Sequence, residues 1–309
     1  MRDFDKKALS VEEQLELLVV RGLRVQDKTS ALAVLKKIGY YRLSSYMRLF
    51  QQGDEHVFLS GTEFKDILDI YRFDESLRAI CFEAISKIEI AYRSAICNTM
   101  CEKYDSHWFL NPSVYSKPDA LSQAKSLIET EIKKRGNDYA ETFISKYYEK
   151  YNTPEFPPFW MCAETFTIGS LNKLYQMIRL EDKVKIVEAL GFQEDQKLMS
   201  TCNWLFVFCI TRNICAHHSR LFNRIFRIEP TSRKKIAELN GKNNRFYRVL
   251  QVISYCHRSI LIDSDFESKI SALLASYPNI NKQMLGFPKD WTHFTFTRTN
   301  HTKHLTPSR

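Results

Sequence analysis

An all-α fold, a helical bundle with an N-terminal helical cap and a C-terminal helical extension, is what this sequence predicts. Three observations carry the prediction. Apolar residues recur at helical spacing through most of the 309 residues. Nine glycines and nine prolines are too few for a loop-rich β protein. There is neither an internal repeat nor an alternation of strand and helix patterns, which excludes a parallel α/β sheet.

The elements follow in order. Ser10 and Glu13 form a capping box ahead of the Leu15, Leu18, Val19 stripe, and Gly22 ends that helix. A second helix spans about Thr29 to Ile38 and stops at Gly39. Such a pair has the outline of a DNA-reading helix-turn-helix, but Lys28, Lys36 and Lys37 supply little charge for the task, and a packed cap is the preferred reading. HVFLSG at 56–61 breaks the helical pattern as a short extended piece. From Thr62 to about Tyr104 the chain reads as one long helix, with Leu77, Ile80, Cys81, Ala84, Ile85, Ile88, Ala91 and Ala95 on a broad apolar face. A loop at 107–118 precedes helices near 118–135 and 139–150, and Pro154, Pro157 and Pro158 force an extended break. Further helices are expected at 158–167, 169–179, 181–190, 195–228, 243–261 and 264–276, before a basic, weakly structured tail. The implied organisation is a cap over 1–60, a helical core over 61–262, and a C-terminal helix and tail over 263–309.

Bulk properties narrow the function. Lys and Arg exceed Asp and Glu by 45 to 36, a net charge of +9 that favours polyanionic partners such as nucleic acid. The start lacks the apolar core of a secretory signal, and no uncharged apolar run reaches about 18 residues, so a cytoplasmic chain without a membrane span is expected. The eight cysteines fall mostly within apolar helical patterns, as reduced thiols do. Cys97 and Cys101 lie four apart with His107 nearby, but without a second ligand pair they are read as packing; no metal or other cofactor is expected.

Chemistry concentrates in TRNICAHHSRLFNRIFRIEP, residues 211–230. On one continuous helix, Asn213, His217, Arg220 and Arg224 share a stripe about 60° wide, with Arg212 at its edge. Between Thr211 and Lys235 there are seven basic residues against the single acid Glu229, a density suited to phosphate. These residue types fit phosphodiester transesterification without a metal. His217 can take a proton from a ribose 2′-OH or give one to the leaving 5′-oxygen. Arg212 can stabilise charge on the phosphoryl oxygens, and Asn213 can orient the imidazole or the ribose. Arg220, Arg224 and Arg227 are candidates for binding RNA phosphate. One imidazole cannot readily serve as both acid and base, so two copies meeting across a two-fold axis are expected. Glu89 and Arg93, four apart, are read first as an ordinary surface pair and second as a support for the site.

The segment RNICAHHSRLFNR resembles the signature of the Abi family, the AbiD/AbiF-like abortive-infection proteins of bacteria, and contains the R-x4-6-H motif of the wider HEPN superfamily. LSVEEQLELLVVRGL, IGYYRLSSYMRLF, YRFDESLRAICFEAISKIEIAYRSAI, PPFWMCAETFTIGSLNKLY and LGFPKDW resemble family blocks in family order, so the likeness spans nearly the whole chain. It implies a HEPN-type bundle, a metal-independent endoribonuclease leaving a 2′,3′-cyclic phosphate and a 5′-hydroxyl, and a homodimeric site in which Arg212 and His217 match the catalytic pair and Asn213 the polar residue beside the arginine. It also admits a structured small RNA as partner, and with it a non-catalytic alternative in which the same fold only grips such an RNA.

Overall fold

A computed structural model describes residues 7–135, 142–192, 199, 201–231, 243–261 and 264–292. Twelve helices lie among these residues, and the expected all-α architecture is observed. Helix α1 (Val11–Val20) opens on the capping box: the Glu13 amide donates to Ser10 Oγ at 3.1 Å and the Ser10 amide to Glu13 Oε2 at 2.7 Å. It closes on Gly22, whose φ of 92° lets the Leu23 amide turn back to the Leu18 carbonyl. Helices α2 (Lys28–Ile38) and α3 (Tyr40–Met47) follow, then a minimal hairpin in which β1 (Gln51–Gln52) pairs antiparallel with β2 (Val57–Phe58). Leu18, Leu35, Leu43 and Met47 bury themselves with Ile67 and Tyr71 in a core of their own. The expected extended piece and the packed cap are therefore both present.

Helix α4 (Phe64–Lys103) is the axis of the molecule. Its 40 residues rise about 60 Å. Leu77, Cys81, Ala84, Ile85, Ile88 and Ala95 are buried along the predicted face. Beyond it, one 3-10 turn carries Trp108 and Phe109 and a second carries Val114 into the main core, where Trp108 meets the Phe159 ring at 4.6 Å. Helices α5 (Ala120–Arg135), α6 (Thr142–Lys150), α7 (Phe159–Glu164), α8 (Ile168–Met177) and α9 (Leu180–Ala189) follow: α7, α8 and α9 pack on α4, α5 packs on α7 and α8, and α6 packs on α7. Helices α10 (Trp204–Ala216), α11 (Phe246–Ile260) and α12 (Phe266–Ser276) complete the bundle. The segment 277–292 packs back through Leu285 and Phe287, with Trp291 against Phe287. The early part of the helix expected from 195, the first residues of the one expected from 139 and the end of the basic tail lie outside the described residues.

One expectation fails. The helix predicted to run to 228 ends at Ala216, with His217 as its C-cap. His218 adopts φ 54°, its amide bonds the Cys215 carbonyl at 3.0 Å, and the Ser219 amide bonds the Ile214 carbonyl at 2.9 Å. This is the same helix stop that Gly22 makes, formed here by a histidine in a conformation that costs a residue with a Cβ about 1 kcal/mol or more. No helix in the described residues is long and apolar enough to cross a membrane.

Candidate functional site

The premature stop decides which basic residues belong together. Asn213 and His217 remain one turn apart on α10, the His217 amide bonded to the Asn213 carbonyl at 2.9 Å, and both are exposed. Arg212, half-buried beside them, leans onto α4, its guanidinium carbon 5.5 Å from the centre of the Phe82 ring. Its Nη1 reaches Asn213 Oδ1 only at 3.5 Å, and its buried Nε has no partner. Among the described residues Arg212 makes no ion pair, and no hydrogen bond holds the His217 ring. The three residues predicted to act together thus present an unneutralised guanidinium, an amide and an imidazole at one edge of α10.

Arg220 and Arg224 do not join that edge. Arg220 Nη1 donates to the Ser45 carbonyl, with its guanidinium over the Tyr46 ring, and burial holds its pKa below the ordinary arginine value. Arg224 Nε donates to the Arg220 carbonyl at 2.6 Å. The single stripe expected from a continuous helix is therefore broken: Arg220 braces the segment after α10 against the cap, and Arg224 braces that segment on its own backbone. Arg227 is exposed.

A cluster that sequence reasoning missed holds this segment in place. Asp74 of α4, fully buried, accepts from the amides of Leu221 at 3.1 Å and Phe222 at 2.7 Å, from the Tyr46 hydroxyl at 2.7 Å, and pairs with Arg78. Burial pushes the Asp74 carboxyl up from its ordinary value; Tyr46, Arg78 and the two amides pull it back down. Arg42 of α3 donates to the His218 carbonyl at 2.8 Å, fixing the left-handed residue itself. Farther on, Asn203 and Trp204 at the start of α10 bond to Glu229 and Thr231, so the segment runs back along the helix it leaves. The only sequence signal for the clamp was the pair of acidic and basic residues within YRFDESLR, which an i,i+4 spacing alone would assign to a surface.

Glu89 and Arg93 do pair, at 3.1 Å, but not as an ordinary surface pair. Both are largely buried, and Arg93 also donates to the Phe166 carbonyl at 3.0 Å and approaches Glu164 at 3.4 Å, tying α4 to the end of α7. Cys97 and Cys101 are free, half-buried thiols, and a hydrogen bond from Cys101 lowers the pKa of Cys97. His107 spends both ring nitrogens on Ser106 Oγ and the Phe156 carbonyl. Among the described residues no three His, Cys, Asp or Glu side chains are grouped to hold a metal.

Fold and site together define a helical-bundle protein with a half-buried arginine and an exposed asparagine and histidine at the end of one core helix. The family model described as Abi-like protein matches residues 33–223, and the chain belongs to that family. The match takes in α3, α4, the Asp74 clamp and the Arg212–His217 edge together. No curated protein and no solved structure matches the chain.

Proposed function

We propose that this protein is a metal-independent endoribonuclease of the HEPN type, acting as an abortive-infection effector. The observation that carries the reading is the Arg212, Asn213, His217 edge: a cation without a counter-charge beside an exposed imidazole, on a backbone held by buried hydrogen bonds. In the proposed reaction His217 removes the 2′-OH proton, the 2′-oxygen attacks phosphorus, and the bond to the 5′-oxygen breaks. A second imidazole protonates the departing oxygen, leaving a 2′,3′-cyclic phosphate and a 5′-hydroxyl. Arg212 offsets the negative charge that gathers on the phosphoryl oxygens.

That second imidazole is assigned to another copy of the chain. Phe206 of α10 is 38% exposed, and from α4 Phe82 is 36% and Ile90 59% exposed, so apolar surface flanks the edge. On α10 Phe206, Ile210, Asn213 and His217 follow helical spacing, which puts apolar and polar groups on one strip suited to an isologous contact. Burial of the apolar part would offset repulsion between two Arg212 guanidiniums, and RNA entering between them would relieve it.

The test is incubation of wild type, Arg212→Ala and His217→Ala with total RNA in EDTA. Wild type cleaves and leaves cyclic phosphate ends, and each variant loses about 10²-fold or more. Activity that requires Mg²⁺, or that survives His217→Ala, refutes the mechanism.

A further inference from the structure

Between them α5 and α8 leave a surface groove of about 530 Å³. That volume is within the roughly 300–1,000 Å³ typical of ligand sites. Hydroxyl and amide groups of Ser122, Gln123, Ser126 and Thr130 line it, Leu127 and Met177 give it apolar surface, and Lys173 stands in its wall. The Ser122 hydroxyl donates to the Asp119 carbonyl and the Thr130 hydroxyl to the Ser126 carbonyl, so each oxygen keeps lone pairs with which to accept from a ligand. Glu131 also lines the groove and is almost fully buried.

Lys173 joins this groove to the Arg212 edge. Gly169, one turn earlier on α8, lies so close to α10 that a methyl group there would sit 3.4 Å from Cys209 Sγ. Asn213 Nδ2 approaches the same sulfur at 3.9 Å. Lys173 and Arg212 both act electrostatically on that thiol. Lys173 is exposed and has no ion-pair partner among the described residues. Lys173 and Arg212 therefore both lie near Cys209, together with Glu89, which is paired with Arg93; one cation stands at the proposed cleavage edge and the other at the mouth of a polar groove with acceptors and apolar surface.

We propose that the α5–α8 groove seats a nucleotide of a single-stranded RNA next to the scissile phosphate, with Lys173 on the phosphate that links them. The base lies against Leu127 and Met177, and its N–H donors and the ribose hydroxyls meet the acceptors of α5. The inference rests on the ribonuclease reading for the identity of the ligand.

The experiment uses full-length His217→Ala, which leaves RNA intact, as the parent. Binding of a fluorescent single-stranded oligoribonucleotide is followed by anisotropy over a range of salt concentrations. Adding Lys173→Ala should weaken binding about 5- to 10-fold at low salt and flatten the log–log salt dependence by about 0.7, the share of one phosphate contact on a single strand. Lys173→Arg should keep the slope. Ser126→Trp, which fills the groove from an exposed position, should weaken binding without changing the slope. Thermal melts check that each variant folds. Equal binding by parent, Lys173→Ala and Ser126→Trp overturns the groove assignment and leaves the ribonuclease reading standing. A parent that binds no RNA overturns both.

Discussion

Removal of the Asp74 carboxylate is the sharpest test of how the site is held. In Asp74→Ala the Arg78 guanidinium, 4% exposed, keeps its charge in the interior without a counter-ion. Breaking a buried pair in this way typically costs 3–5 kcal/mol, because one uncompensated charge stays behind. The amides of Leu221 and Phe222, both fully buried residues, lose their acceptor at the same time. Each orphaned amide would cost about 1–3 kcal/mol alone. The losses are not additive, since water entering the space of the missing carboxylate serves all three groups, so about 3–5 kcal/mol in total is expected. Asp74→Asn keeps an acceptor for the amides and should cost less. The double variant Asp74→Leu/Arg78→Met separates the two roles: it removes the stranded charge and should recover much of the stability lost in Asp74→Ala, yet it leaves the amides unmet. Urea unfolding gives the stabilities, and native-state hydrogen exchange at Leu221 and Phe222 reports the loop. If Asp74→Ala costs less than about 1 kcal/mol, or if the double variant restores protection at those amides, Asp74 is not what ends α10 where it ends.

Three further outcomes are expected. Burial, aided by Lys87 and Lys269 and opposed by Asp265 and Glu83, lowers the pKa of His257 below its ordinary value. The unfolded chain then binds more protons below about pH 6.5, so the folded state loses stability as pH falls from 6.5 toward the folded pKa, and His257→Leu should flatten that part of a stability–pH curve. Gly286 has φ 91°, and a Cβ there would lie 2.6 Å from Cβ of Arg245 and 2.8 Å from Oδ1 of Asn243; Gly286→Ala should destabilise by about 2–4 kcal/mol in urea unfolding, and a neutral effect would show that 277–292 packs elsewhere. Finally, sedimentation at micromolar concentration should find a dimer, Ile90→Asp should shift it toward monomer with loss of RNA cleavage, and a fully active monomer would end the two-copy mechanism.

Much of the architecture is written in local pattern. The capping box at Ser10 and Glu13, the stop at Gly22 and the 40-residue run of α4 depend on groups within a few residues of one another, so spacing and residue type suffice to place them. The register that sets Asn213 one turn before His217 is equally local, and the sequence alone placed both beside Arg212. Where α10 ends was not decided there. His218 carries no glycine-like signal for a left-handed turn, and the basic pattern continues through Arg220 and Arg224 as if the helix did too. Asp74, 147 residues before Leu221, takes the amides that an uninterrupted helix would have spent on its own carbonyls, and Arg42 takes the carbonyl of His218. Only the packing of α3 and α4 against this segment brings those partners within reach, which is why tertiary structure alone turned two arginines from the predicted phosphate stripe into braces and left Arg212, Asn213 and His217 at the edge.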